Sequence, residues 1–426
     1  MPPEISSLSL EKAELPAPSA AGKLPIALLG ASGHGAFHLK ELFSLKKRGL
    51  IELAAVADPA ISRLQEVRAN LEEQQVAWYE EPKKLFQQER KIKAISITAP
   101  IPWHDGLCRA ALEQDLYVFL EKPPVPLIQQ WDSLLRLDAS RRIAVAFQNI
   151  ASLPIQTLKH WCVEGRLGKI ETIRIAAAWR RKTKYYERSS WAGKLLLEDV
   201  PVLDGPATNA LAHVLHDAMF LASPQPSGFA VPLEVKAELY RARPIESYDT
   251  CCLRALLEGG IELTAALTHA CEETRPYKIV VTGSRGKAWI GADGTRLEND
   301  QGWPNIEEPS AQHRSRCYEN FILYALGRRP RPDTLFADTR GYVLLTNGMV
   351  LSSGTIHTIP AAYKSVVDAG QEETYVIAGV LPLLQTTLER GLLFSEQGVP
   401  WAVGGQTQSV RQLSSLSLKP CLPALP

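Results

Sequence analysis

An excess of either charge is missing from this 426-residue sequence: 47 Lys and Arg stand against 46 Asp and Glu, a formal net charge of +1. No Lys/Arg block alternates with aromatic residues, so the chain lacks the electrostatic footprint of a nucleic-acid surface. Metal-ribbon and dithiol signatures are missing too. The cysteines at 108, 162, 251, 252, 271, 317 and 421 contain no C-x-x-C spacing, and they read as reduced packing thiols of a cytoplasmic protein. Cys251 and Cys252 fall in a predicted strand, where neighbours face opposite sides. Residues 1–23, rich in Ser, Ala, Pro and Glu, have no continuous apolar stretch and resemble neither a secretory signal nor a membrane span. They are expected to form a disordered tail, with a second loose terminus over 404–426. There is no internal repeat, and neither membrane nor nucleic acid is expected as a partner.

What is present is enough chain for more than one core. At 45% hydrophobic content two domains are expected. Over residues 24–150, short apolar runs (Pro25 to Leu29, Ile51 to Ala57, Ala94 to Thr98, Tyr117 to Leu120, Ile143 to Phe147) alternate with stretches of helical period. That pattern predicts a doubly wound parallel sheet of the Rossmann kind, an α/β fold. Over 151–403 a helix from Ile155 to Glu164 is followed by longer β-rich runs (170–179, 233–242, 249–257, 261–268, 277–282 and 287–290), the last two flanking a Gly283-Ser-Arg-Gly286 hairpin signal. These predict a large, mostly antiparallel sheet, completed by helices around 318–326, 340–351 and 377–393.

Three features carry chemistry. The loop Gly30-Ala-Ser32-Gly33-His34-Gly35 joins the first strand to the first helix, where backbone N–H groups and the positive helix end receive a pyrophosphate. It departs from G-x-G-x-x-G in having Ser32 at the second glycine position. Asp58 ends the second strand, where a carboxylate would accept hydrogen bonds from ribose hydroxyls, which favours NAD over NADP. Arg63, one helical turn later, keeps NADP open. Glu121-Lys122-Pro123 ends the fifth strand and places an amine beside the expected nicotinamide.

The glycine loop, Asp58, Pro100-x-x-x-His104 and Glu121-Lys122-Pro123 together resemble the glucose-fructose oxidoreductase / inositol dehydrogenase / rhizopine-catabolism (Gfo/Idh/MocA) family over about Leu24 to Leu393. The resemblance implies a Rossmann domain, a second α/β domain, an active site between them, and a homodimer or tetramer. It also implies that Lys122, Asn209 and His213 line the nicotinamide pocket, at the positions of the family's lysine and D-x-x-x-H pair. Pro100, His104 and Glu121 would border the cofactor. Tyr185, Tyr186 and Trp191 would form a wall for a sugar ring, with Arg180 and Lys184 bonding hydroxyls or an acid group.

Oxidising a secondary alcohol needs a hydride acceptor and a group for the hydroxyl proton, and a histidine and a desolvated lysine both suit that role. Asn209 stands where the family most often has aspartate, and an amide neither accepts a proton nor stabilises an imidazolium by charge. His213 is therefore expected to be less basic than usual. The string His213-x-x-His216-Asp217 has some metal-ligand character but no clear third ligand, and no metal is expected. The expected activity is NAD(P)-dependent oxidoreduction of a sugar, sugar derivative or cyclitol. The alternatives are redox-elimination of a glycoside and a non-catalytic sensor of the same fold.

Overall fold

The computed structural model describes residues 22–291, 294–298, 310–368 and 372–422. The expected N-terminal tail therefore lies almost wholly outside the described residues. The chain opens with β1 (Leu24–Leu29), α1 (Gly35–Lys47), β2 (Ile51–Ala57), α2 (Gln65–Glu73), β3 (Ala77–Tyr79), α3 (Pro82–Gln88), β4 (Ala94–Ile97), α4 (His104–Leu112), β5 (Tyr117–Leu120), α5 (Ile128–Leu137) and β6 (Ile143–Val145). The six strands form one parallel sheet in the order β3-β2-β1-β4-β5-β6. Strand alternation explains its two-sided cover. Ile26 and Leu28 pack with Leu39, Leu42 and Leu45 of α1 on one face, while Ala27 and Leu29 pack with Cys108, Ala111 and Leu134 of α4 and α5 on the other.

The chain then crosses through α6 (Leu153–Val163), with the Ser152 hydroxyl accepting from the N–H of Ile155 at 3.4 Å as its cap. There follow β7 (Ile170–Ala178), α7 (Thr183–Glu187), a two-residue ladder of β8 (Leu196–Leu197) and β9 (Val200–Pro201), and α8 (Ala212–Ala222). Next come β10 (Pro232–Arg241), β11 (Thr250–Leu257), β12 (Glu262–Thr268), β13 (Arg275–Gly283), β14 (Gly286–Gly291), β15 (Gly294–Glu298), α9 (Ser310–Ala325) and α10 (Arg340–Ser353). The described chain ends with β16 (His357–Thr358), β17 (Lys364–Val367), β18 (Thr374–Ile377), α11 (Val380–Arg390) and β19 (Gln408–Ser409). The second sheet runs β15-β14-β13-β7-β12-β11-β10-β16, with β19 on β10. It is antiparallel except at β7/β12 and β10/β16.

Several features differ from the sequence reading. Helix α9 starts eight residues earlier than expected and packs back on the first sheet, with Tyr318, Phe321 and Ile322 in the same cluster as Leu28 and Leu42. The region 377–393 divides into the end of β18 and helix α11, because Gly379 takes a left-handed conformation (φ 70°) that separates them. The C-terminal stretch is anchored rather than loose: β19 pairs β10, and Val410, Leu416, Leu418 and Cys421 enter the main core. Gly405 makes this possible, since a Cβ there would lie 2.0 Å from the carbonyl oxygen of Ala237.

Candidate functional site

The glycine loop is built for close approach of strand and helix. Gly30 has φ +92°, and a Cβ on Gly35 would lie 2.3 Å from the Gly30 carbonyl oxygen, so neither position tolerates a side chain. Asp58, 3% exposed, reaches under the loop. Its Oδ2 accepts from the N–H of Ala31 at 2.7 Å, the N–H of Ser32 at 3.0 Å and the Ser32 hydroxyl at 2.9 Å, and its Oδ1 accepts from the N–H of Ala60 at 2.8 Å. The carboxylate thus holds the loop's shape. Gly33 and His34, whose N–H groups have no partner among the described residues, are left to receive an anion at the start of α1. The loop fits a dinucleotide on this count, with Ser32 turned inward to Asp58 rather than toward the pyrophosphate.

Lys122 leaves the carboxyl end of β5 and reaches the second domain. Its Nζ donates to the backbone carbonyl of Asn209 at 3.0 Å and to Asn209 Oδ1 at 3.3 Å. Asn209 Nδ2 in turn donates to Asp204 Oδ1 at 2.8 Å, and Asp204 Oδ2 accepts from the N–H of Gly193 at 2.7 Å. The result is a chain from amine to amide to buried carboxylate. Burial lowers the Lys122 pKa, against the raising effect of Glu121 and Asp204. Burial also raises the Asp204 pKa, with Arg188, the Gly193 N–H, Asn209 and Lys122 opposing it. Both groups are therefore moved toward their neutral forms.

Asn209 and His213 do not share one α-helix. Residues Pro206–Ala210 form a wide π-turn closed by Leu211 N to Pro206 O at 2.8 Å, and α8 begins only at Ala212. His213 still lies within the field of Lys122. Its pKa is pushed down to about 3, first by burial and then by the Lys122 charge, so its imidazole is neutral near pH 7. It meets Phe147 edge-on at 5.6 Å, and its buried Nδ1 has no partner among the described residues.

The model of the oxidoreductase family described as an NAD-binding Rossmann fold, Gfo/Idh/MocA, matches residues 24–147. Residues 24–147 are thus similar to the NAD-binding Rossmann segment of the Gfo/Idh/MocA family. An inositol 2-dehydrogenase of Streptomyces avermitilis is 33% identical over 149 residues, a match covering 34% of this chain and 42% of that relative's length. Beyond the family segment the likeness is structural. The WlbA dehydrogenase of Bordetella pertussis, solved with NADH and UDP-GlcNAcA, superposes with a TM-score of 0.64 at 19% identity, over 78% of this chain and 96% of its own. Levoglucosan dehydrogenase, solved with NADH and L-sorbose, gives 0.67 at 15% identity, over 78% and 97%. Myo-inositol 2-dehydrogenase of Lactobacillus plantarum gives 0.62 at 18%, also over 78% and 97%. At these identities the superpositions show the fold.

Against the Gfo/Idh/MocA pattern, the acid absent from position 209 is present one hydrogen bond away as Asp204. Sequence reading passed it over because it falls five residues upstream, in an irregular loop. The aromatic wall holds arginines that were also passed over. Arg188 stacks on Tyr185 at 3.8 Å and on Trp191 at 4.9 Å, Arg181 on Tyr185 at 4.7 Å, and Arg243 on Tyr186 at 4.4 Å. Tyr186 OH lies 3.0 Å from His269 Nδ1, while His269 Nε2 is buried without a partner among the described residues. Arg180 turns the other way, donating to Thr374 and pairing with Asp368. Arg181, the next residue, lies over the Tyr185 ring instead.

Other candidates have scaffold positions. His104 is buried, with Nδ1 2.9 Å from the Pro123 carbonyl and Nε2 2.8 Å from the Ala99 carbonyl. It ties the loop after β4, which includes the exposed Pro100, to the loop after Lys122. Its neighbour Trp103 is 55% exposed, at the carboxyl edge where open sheets receive ligands. His216 is stacked between Phe147 at 4.0 Å and Phe229 at 4.6 Å. Asp217, pushed up to about 8 by burial, accepts from Asn149 Nδ2 at 2.9 Å. His216 and Asp217 are therefore occupied in packing, away from any ligand cluster found among the described residues.

Proposed function

We propose that the chain is an NAD-dependent oxidoreductase that transfers a hydride to or from a secondary hydroxyl carbon of a sugar, sugar derivative or cyclitol. The observation that carries this reading is Lys122, which reaches from the end of β5 to Asn209 at 3.0 and 3.3 Å, beside a glycine loop suited to a dinucleotide. Gly33 and His34 would meet the pyrophosphate, and Asp58 would fix the loop that presents them. NAD bound there supplies the hydride acceptor. The substrate hydroxyl would enter between Lys122 and His213, with Lys122 taking its proton and Asn209 orienting it. His213, neutral and with a free ring nitrogen, serves as a hydrogen-bonding partner rather than the principal base.

The wall of Tyr185, Trp191, Arg181 and Arg188 offers stacking surface beside two guanidinium groups. That combination favours a ring substrate bearing an acidic group. The relatives solved with NADH together with a sugar or sugar nucleotide support the same reading. A homo-oligomer is part of the proposal. Since α11 and residues 394–401 already cover the outer face over β7 and β10–β12, a partner would use the β13–β15 end, and light scattering of the full chain measures the subunit number. The function itself is tested by following reduced nicotinamide with NAD⁺ against cyclitols, aldoses and sugar acids. Cofactor binding without turnover of any of them would contradict it.

A further inference from the structure

Two histidines of the glycine loop and α1 converge on Glu121. His34 sits at the end of the glycine loop and His38 one turn into α1, a spacing that puts both imidazoles on one helix face. Glu121 meets them from the end of β5. One ligand atom from each residue lies within 4.8 Å of the others. Glu121 Oε1 is 2.9 Å from His38 Nε2 and 3.7 Å from His34 Nε2. Ligand atoms around a tetrahedral zinc stand about 3.3 Å apart, so small side-chain adjustments bring the three into range. His34, whose side chain is 55% exposed, is free to make most of that movement.

The supporting shell is already in place. Glu121 Oε2 accepts from the Lys122 N–H at 3.0 Å, which fixes the carboxylate and leaves Oε1 toward the histidines. His38 Nδ1 lies 2.6 Å from Tyr318 OH, and that hydroxyl lies 2.8 Å from Ser96 Oγ. Because each hydroxyl both donates and accepts, this relay supports either imidazole tautomer. With Nδ1–H donating to Tyr318, the Nε2 lone pair is released toward a metal. The cluster also faces an open cavity of about 330 Å³, bordered by Phe37, Glu41, Gln148 and Arg314, which leaves room for water or another ligand in the remaining coordination position.

We propose that His34, His38 and Glu121 form a binding site for a divalent transition metal of the zinc class. Two imidazoles and one carboxylate with an open fourth position is a donor set that zinc and cobalt accept. A metal there joins the glycine loop directly to the residue preceding Lys122, so its occupancy and dinucleotide binding are coupled. Neither the sequence motifs nor the family likeness pointed to this, because the third ligand, His34, lies inside a loop read as a pyrophosphate site.

The test titrates the full-length protein with Co²⁺, reading its visible d–d absorption, and with Zn²⁺ by calorimetry, in the absence of nicotinamide and sugar. The expected result is one ion per chain with the spectrum of a low-coordinate nitrogen/oxygen site. His34→Ala should lower affinity at least tenfold, and Tyr318→Phe should lower it by roughly tenfold. His34 is exposed, so its variant keeps the fold, which circular dichroism checks. A spectrum no different from aqueous Co²⁺, or equal affinity in wild type and His34→Ala, would overturn the site. Because no turnover is measured, such a failure leaves the proposed oxidoreduction untouched.

Discussion

Lys122 is the residue on which the proposed chemistry turns. It bridges the sheet edge and the Asn209–Asp204 pair by direct hydrogen bonds. Lys122→Ala should lower kcat by about 10²- to 10⁴-fold, the range of a general acid–base group, with fluorescence titration of NADH showing that cofactor still binds. Asn209 gives a second test. Asn209→Asp places a carboxylate beside Lys122 and near His213, and the His213 pKa should rise from about 3 toward its ordinary value, read by NMR of the imidazole. An unmoved His213 would mean that position 209 does not govern its basicity. Lys122 was legible in the sequence because three residues of a motif mark it. Asp204, Arg181 and Arg188 were not, since they come together only through the irregular chain between β7 and α8.

At the scale of elements, the first sheet was the most legible part, because its apolar runs stand at the spacing of βαβ units. The short β3 was missed, as three half-buried residues carry little pattern. The join of β1 to α1 is where sequence and geometry agree most closely. Gly35→Ala forces a Cβ against the Gly30 carbonyl, and should cost about 1–3 kcal/mol of stability while weakening dinucleotide binding, measured by thermal melting with and without NAD. Helix α8 carries the buried Asp217. Its folded-state pKa of about 8 lies above an unfolded value of about 3.9. The native state therefore keeps its full stability from this group below about pH 4, and loses it as pH rises toward 8. Asp217→Asn should raise the melting temperature at pH 8, and the gain should vanish near pH 4.

At the scale of the whole molecule, two sheets meet so that the end of β5, the π-turn before α8 and the segment after β7 face one another. The approach of Lys122 to Asn209 is a long-range contact of this kind, and no local pattern specifies it. Helix α9 strengthens the same junction by returning to the first sheet, where Tyr318 hydrogen-bonds His38 and Ser96. Among the described residues no helix is long and apolar enough to cross a membrane. The C-terminal stretch was misread because its Gln, Ser and Pro content concealed four spaced apolar anchors. Removing residues 408–422 should expose those pockets and lower the melting temperature, whereas a loose tail would leave it unchanged.

The most direct test of the account is turnover with NAD⁺ across cyclitols, aldoses and sugar acids, run in parallel on wild type and Lys122→Ala at matched cofactor saturation. Reduced nicotinamide should form with at least one of these ring substrates in wild type and fail to form in the variant. Equal rates in the two proteins, or bound cofactor with no substrate oxidised, would contradict it.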